Sequence, residues 1–320
     1  VKNPDVKLKL LSKLSDGSFH SGESLGEDLG MSRAAISKHI KGIQEWGVDI
    51  FRVQGKGYQL SQPLIMLDET LIQSKVSNPV ELHPVIGSTN QYLIDNTANL
   101  QSGTVCIAEY QESGRGRRGR HWVSPFGANL YLSMYWRLDA GMAAAMGLSL
   151  VVGVAMVEAL ENMGLEGVKL KWPNDLYYQD RKLAGILVEM SGQAGGAAHL
   201  VIGMGMNLAM QDRDSAIDQP WASLSEVIGT DHIDRNVLAA EFINTLDTAL
   251  KKYEIYGMQN FVERWNRLDN FIGRKVKLIM GTNEVTGIER GIDEQGGVLL
   301  ETEQGIKSFI GGEISLRNNE

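Results

Sequence analysis

A chain of 320 residues has room for about two domains, or three if one is small. Its 43% hydrophobic and 22% charged residues exclude a disordered, collagenous or coiled-coil protein. The net charge of −8 excludes a chain that is basic throughout, yet residues 1–60 hold nine Lys/Arg against seven Asp/Glu, so a slightly basic head on an acidic body leaves room for a local nucleic-acid site. In chain order, residues 6–14 read as a short amphipathic helix. Ser21 can cap a second helix ending at Leu29, with Gly30 as the turn. Ser32 can cap a third, whose Ile36, Ile40 and Ile43 fall at i, i+4 and i+7 as a core stripe. Arg33, Ser37, Lys41 and Gln44 share another face of that helix. Residues 48–53 and 58–60 read as strands around the turn Gln54-Gly55-Lys56-Gly57. Three helices and a basic hairpin form the pattern of a winged helix-turn-helix DNA reader, with Ser32, Arg33, Ser37, Lys38, Lys41 and Lys56 as the expected DNA contacts.

Gln62-Pro63 suggests a boundary, giving a first domain at 1–62. From there to residue 270 strands and helices mix. Strands are expected over 104–110, 129–136, 183–190 and 199–206, and helices over 90–99, 143–163 and 236–256. The run 140–157 has no charge, but its Ala, Gly and Ser content suits a helix buried in a globular domain, and no membrane association is expected. In 271–320, short strands over 276–280, 284–289, 298–301 and 306–310 alternate with Gly/Asn/Asp-rich turns, the rhythm of a small β-barrel. The one cysteine, Cys106, cannot form an intrachain disulfide, and no CxxC or HExxH pattern occurs, so a reducing cytoplasm is the expected compartment.

Four motifs carry chemistry. In Gly114-Arg115-Gly116-Arg117-Arg118-Gly119-Arg120, four arginines within six positions repel one another. A phosphate ester or pyrophosphate would relieve that repulsion, and the glycines let the backbone approach it. The letters also match GxGxxG, but His121-Trp122-Val123-Ser124-Pro125 follows and cannot open a helix. A solvated flexible loop is the plain alternative, and without ligand the segment is expected to be disordered. Lys171-Trp172-Pro173-Asn174-Asp175 makes a turn that can present a carboxylate at a strand end, and Lys182 enters an apolar strand where an ammonium needs a partner. A carboxylate able to hold Mg²⁺ and a lysine point charge suit transfer at a nucleotide phosphate. Gly203 and Gly205 lie on one face of a strand and leave a flat floor for a ring system. Ser88-Thr89-Asn90-Gln91 fits a capping box, which need not exclude ligand contact.

Gln111 with GRGRRGR, then KWPND, DRKLAGIL and VIGMGMN, closely resembles the biotin–protein ligase family. The winged helix and Gly311-Gly312-Glu313-Ile314-Ser315-Leu316 resemble its bifunctional bacterial members, which also repress the biotin operon. The resemblance covers essentially the whole chain. It implies an α+β fold: a winged helix at 1–62, a central mixed sheet similar to class II aminoacyl-tRNA synthetases at 63–270, and an SH3-like barrel at 271–320. It also implies ATP, Mg²⁺ and biotin, and a two-step reaction. Biotin's carboxylate attacks the α-phosphate of ATP to give biotinyl-5′-AMP and pyrophosphate. A lysine of the biotin carboxyl carrier protein of acetyl-CoA carboxylase then displaces AMP.

Carried over by motif, Ser88, Thr89, Asn90 and Gln111 would surround the biotin head group, over a floor of Gly203 and Gly205. Arg115, Gly116 and Arg117 would close over biotin and the adenylate, with Arg118 also in a catalytic role. Lys182 would stabilise the charge at the carboxyl–phosphate junction. Arg120, Trp122, Asn174, Asp175, Asn207 and Trp221 would meet ATP or the adenylate, Asp175 also holding Mg²⁺. Further implied are biotin operator DNA as a partner and a homodimer when biotinyl-AMP is bound. Two features depart from the family pattern: Met204 between the pocket glycines, and the loop 211–221. A lipoate–protein ligase shares the central fold and reaction; GRGRRG with KWPND favours biotin. A sensor that binds the adenylate without transfer is the reading from another class, and Lys182 with the arginine loop argues against it.

Overall fold

The computed structural model describes residues 4–193, 195–210, 217, 219–229, 233–310 and 314–318. At the N-terminal end lie three helices, α1 (Asp5–Leu14), α2 (Gly22–Leu29) and α3 (Arg33–Gln44), and a hairpin of β1 (Ile50–Val53) and β2 (Gly57–Leu60). Ser21 and Ser32 cap α2 and α3 by accepting from the backbone N–H groups of Ser24 and Ala35, each worth about 1 kcal/mol. Gly30 closes α2 at φ 65°, a left-handed conformation that glycine adopts without a Cβ clash. Ile36, Ile40 and Ile43 are buried as their spacing requires.

This small core does not close on itself. Trp46, just past α3, stacks on Phe126 with centroids 5.5 Å apart and tilts against Tyr110 at 5.6 Å. Phe126 N–H also donates to the Trp46 carbonyl at 2.8 Å. The connection after β2 is anchored by a buried ion pair. Arg235 contacts Glu109 at 2.6 Å and donates to the Ile65 carbonyl at 2.7 Å, while Glu109 accepts from Leu67 N–H at 2.5 Å.

The centre is a seven-stranded mixed sheet. Its elements are α4 (Glu69–Gln73), β3 (Val80–Ile86), α5 (Thr89–Asn96), β4 (Val105–Gln111), β5 (Asn129–Leu138), α6 (Leu148–Asn162), β6 (Lys169–Lys171), β7 (Asp175–Tyr178), β8 (Arg181–Gly192), β9 (Ala198–Asn207), α7 (Leu224–Ile228), α8 (Arg235–Tyr256) and α9 (Gln259–Leu268). The strand order is β3-β4-β5-β9-β8-β7-β6, parallel only between β3 and β4. Alternation gives the sheet two different faces. Leu130, Leu132 and Met134 of β5 join Ile202 and Met204 of β9 in an apolar core with residues of α6 and α8. The register places Ser133 beside Gly203, Gly203 beside Leu187, and Gly205 beside Gly185, so the opposite face has little side-chain bulk at its middle.

The expected helix over 143–163 is divided. Met142–Ala145 is a 3₁₀ turn, Gly147 is left-handed, and α6 begins at Leu148. At about 1.5 Å per residue its 15 residues fall short of a bilayer core of about 30 Å. Among the described residues no helix is long and apolar enough to cross a membrane.

The last strands, β10 (Lys275–Met280), β11 (Asn283–Ile292), β12 (Val298–Thr302), β13 (Gly305–Phe309) and β14 (Ile314–Asn318), form an antiparallel sheet in the order β13-β12-β11-β10-β14. The fifth strand had no counterpart among the expected ones. Where β11 meets the end of α9, Glu289 and Asp269 are buried together. Burial pushes both carboxyls above the ordinary range, and Asp269 beside it pushes Glu289 further.

Candidate active site

A cleft opens on the glycine-bearing face of the central sheet. Its wall on one side is the N-terminus of α5. Ser88 caps this helix by accepting from Gln91 N–H, so capping and cleft lining coincide at one residue. Thr89 N–H donates to Gln111 Oε1 at 3.0 Å, and Thr89 Oγ1 donates to the same oxygen at 3.2 Å. Ser133 Oγ lies 2.7 Å from Thr89 Oγ1 and 2.5 Å from Asn90 Oδ1. Gln111 Nε2 donates to Ser124 Oγ at 3.1 Å. Every member of this network is at most 7% exposed, so the side chains are held in one arrangement before any ligand arrives.

The arginine segment forms the roof. It is hydrogen-bonded to itself: Gly116 N–H donates to the Arg120 carbonyl at 2.7 Å and Trp122 N–H to the Gly114 carbonyl at 2.8 Å. Arg118 turns the chain at φ 58°. Two of the cations are fixed by partners. Arg115 Nη2 reaches Glu189 Oε2 at 2.8 Å, and Arg117 Nη1 donates to Asn174 Oδ1 at 3.0 Å. Arg118 and Arg120 also line the cleft.

The far wall is the KWPND turn between β6 and β7 with the start of β8. Lys182 Nζ lies 2.9 Å from Asp175 Oδ1, both side chains 15% exposed, and 5.5 Å from the centre of the Trp122 ring. Asn174 Nδ2 donates to the Ile186 carbonyl at 2.7 Å, which pins the turn to β8. The floor is glycine. A Cβ on Gly203 would collide with Asn90 Oδ1, and one on Gly205 would sit 2.5 Å from the Trp122 ring. Both side chains lie on the floor only because no Cβ is there.

Two buried polar atoms of these lining residues have no hydrogen-bond partner: Arg115 Nε and Trp122 Nε1. Such atoms are costly, and their convergence on one cleft marks a place where a polar ligand satisfies them. Asp175 offers Mg²⁺ a single carboxylate. That donor set suits a cation whose other ligands are phosphate oxygens and water, and among the described residues no group of three metal-binding side chains occurs.

Ser88, Thr89, Asn90, Gln111, Arg115, Gly116, Arg117, Arg118, Arg120, Trp122, Asn174, Asp175, Lys182, Gly203 and Gly205 all line this one cleft. Asn207 does not. Its amide donates to the Lys182 and Ala222 carbonyls, tying the two segments together. Trp221 is likewise absent from the lining, its backbone running parallel to Lys182. Met204 is packed in the apolar core and also lines the cleft between the two glycines. Residues 211–216 and 218 of the loop, and 311–313 of the C-terminal motif, lie outside the described residues.

Sequence reading missed Ser124, Ser133, Gly185 and Glu189. Gly185 could have been found as a third glycine inside the apolar DRKLAGIL segment. The two serines and Glu189 gave no signal, because strand pairing brings Ser133 and Glu189 to the network and the loop before β5 brings Ser124. At the other end of the molecule Arg33, Lys38, Lys41 and Lys56 are exposed on α3 and the hairpin turn, Ser32 is exposed at the α3 cap, and Ser37 is half-buried. Arg52, on the first hairpin strand, adds an exposed cation that was not anticipated.

Comparison with known proteins gives a consistent result. Residues 82–207 match the Biotin/lipoate A/B protein ligase family, 271–317 the biotin protein ligase C-terminal domain, and 6–59 an HTH domain. The bifunctional ligase/repressor BirA of Escherichia coli K12 is 56% identical over 322 positions, with all of both chains covered. BirA of Bacillus subtilis is 30% identical over 93% of this chain and 94% of its own. Among solved structures, the biotin protein ligase from Aquifex aeolicus in complex with biotin and ATP superposes with a TM-score of 0.67 at 32% identity, over 76% of this chain and all of that one.

Proposed function

Given that the chain belongs to the biotin/lipoate A/B protein ligase family, we propose how its cleft carries out biotin–protein ligation. The protein is a bifunctional ligase and repressor. It uses ATP to form biotinyl-5′-AMP, passes biotin to a carrier-protein lysine, and represses through its helix-turn-helix. The observation that carries the residue assignment is Lys182 held 2.9 Å from Asp175 beneath the arginine roof. As biotin's carboxylate attacks the α-phosphate, negative charge builds on the transferring group, and a preorganised ammonium there stabilises it without reorganisation. Ser88, Thr89, Asn90 and Gln111 take the polar head group of biotin, while Gly203 and Gly205 let its rings lie flat. Arg115, Gly116, Arg117, Arg118 and Arg120 enclose the phosphate side, and Trp122 and Asn174 border the nucleotide. Asp175 would hold Mg²⁺, which neutralises phosphate charge when bound.

The carboxyl carrier protein and operator DNA are the macromolecular partners. Ser32, Arg33, Ser37, Lys38, Lys41 and Lys56 form the DNA-facing surface, and biotinyl-AMP favours a homodimer that doubles the phosphate contacts. The three working units are 1–62, 63–270 and 271–320.

The test is incubation with ATP, Mg²⁺, biotin and a carrier domain, with the carrier weighed by mass spectrometry. A carrier heavier by one biotinyl group is expected. Lipoyl transfer without biotin turnover, or adenylate without transfer, would replace this reading with a lipoate ligase or a sensor.

A further inference from the structure

We infer that Glu189 is a positioning residue for adenylation, acting through Arg115 and Asn90, an inference that rests on the ligase reading of the cleft. Glu189 lies on β8 outside the cleft lining, 29% exposed at its side chain. Its Oε2 accepts from Arg115 Nη2 at 2.8 Å and from Asn90 Nδ2 at 2.8 Å. One oxygen therefore joins the arginine roof, on the phosphate side, to the N-terminus of α5, on the biotin side. Neither partner is fixed as well without it. Asn90 Nδ2 otherwise has only a 3.3 Å contact to the Leu187 carbonyl, and Arg115 Nε has no hydrogen-bond partner.

The geometry of the guanidinium makes this tether directional. Arginine's donors lie in one plane, so anchoring one Nη orients the others. Asn90 in turn lies over Gly203 and accepts from Ser133 at 2.5 Å, so a shift in its amide is transmitted to the floor. Small misplacements of such groups are expensive in rate, because the reacting atoms must sit close to their attack geometry. The function needs an acceptor at that distance, and it does not need a charge.

Two variants separate reach from charge. Glu189→Gln keeps an oxygen at the same distance, able to accept both bonds, and removes the charge. Glu189→Asp keeps the charge and withdraws the oxygen by one methylene. With pyrophosphate release measured against biotin concentration, Glu189→Gln should stay within about threefold of the parent chain in kcat/KM, whereas Glu189→Asp should fall at least about tenfold. In an Arg115→Ala/Asn90→Ala background the further change Glu189→Asp should cost less than about twofold. The inference is overturned if Glu189→Asp matches the parent, if Glu189→Gln is as impaired as Glu189→Asp, or if the loss repeats in full in the double-variant background. Absence of biotin-dependent pyrophosphate release from the parent chain would instead overturn the ligase reading itself.

Discussion

The cations of the winged helix and those of the cleft are handled in opposite ways. Arg33, Lys38 and Lys41 stand exposed and make no ion pair with a described residue. Lys182, Arg115 and Arg117 are partly buried, and each is held by Asp175, Glu189 or Asn174. The difference follows from the ligand. DNA presents a row of phosphates whose released counterions drive binding, so side chains that meet it need exposure and number more than fixed angles. A small anion undergoing reaction needs cations already aimed at the place where charge develops. On this reading the proposed catalytic cations Lys182, Arg115 and Arg117 are aimed by partners inside the protein, and the proposed DNA-facing Arg33, Lys38 and Lys41 are left to solvent.

The sharpest way to break this contrast is Lys182→Ala. Pyrophosphate release should fall by about 10²–10³, while the ligand-free protein keeps its non-specific DNA affinity. A near-normal adenylation rate would remove Lys182 from its role. Gly203→Ala tests the floor. Asn90 cannot easily yield to the new Cβ, because Ser133 and Glu189 hold it. Overpacking of about 1–3 kcal/mol should weaken biotin binding, read by calorimetry, by about 5–150-fold. An unchanged affinity would show that the floor has slack.

On the DNA side, Arg33→Ala should leave ligase turnover intact. If Arg33 meets a phosphate in each half of a dimer, the slope of log K against log salt should shrink by about 1.8. Loss of sequence preference at constant slope would make it a base contact instead. The smallest effect lies where exposure is nil. Burial raises the folded-state pKa of Glu289, and Asp269 adds to it, so the folded chain binds more protons than the unfolded one at neutral pH. Stability should therefore decline as pH rises from the ordinary carboxylate range toward that raised value. Glu289→Gln should flatten this decline and raise Tm at pH 8, by about 2–4 °C for each kcal/mol relieved. Parallel Tm-against-pH curves for the two proteins would rule it out.

Much of this architecture could be read in the chain because it repeats a local period. The isoleucine stripe of α3, the apolar runs of β4, β5 and β9, and the turn glycines each carry their own signal. What escaped depends on partners remote in sequence. β6 has three residues, too few to show alternation, and β3 contains Pro84 and is largely half-buried. Gly147 divides a segment whose hydrophobicity alone favours one continuous helix. The cleft was legible at its loudest residues for the same reason: four arginines and paired glycines are improbable unless something uses them. Ser133 and Glu189 look like ordinary strand residues until pairing sets them beside Gly203 and Val201. Asn207, at the end of the VIGMGMN motif, donates to the Lys182 and Ala222 carbonyls, partners that its position in the sequence did not announce.

The stack of Trp46 on Phe126 bears on how the molecule comes apart. A unit of 60 residues buries only about 60% of its unfolded surface and is marginal by itself. Here its apolar cluster is completed by Phe126, with Tyr110, Val85 and Leu64 against it, all contributed from beyond β2. The head is thus not a bead on a string. Its melting and that of the central sheet share side chains, so heating should unfold both in a single calorimetric transition, and a fragment ending at Gln62 should be less cooperative than the same residues in the whole chain.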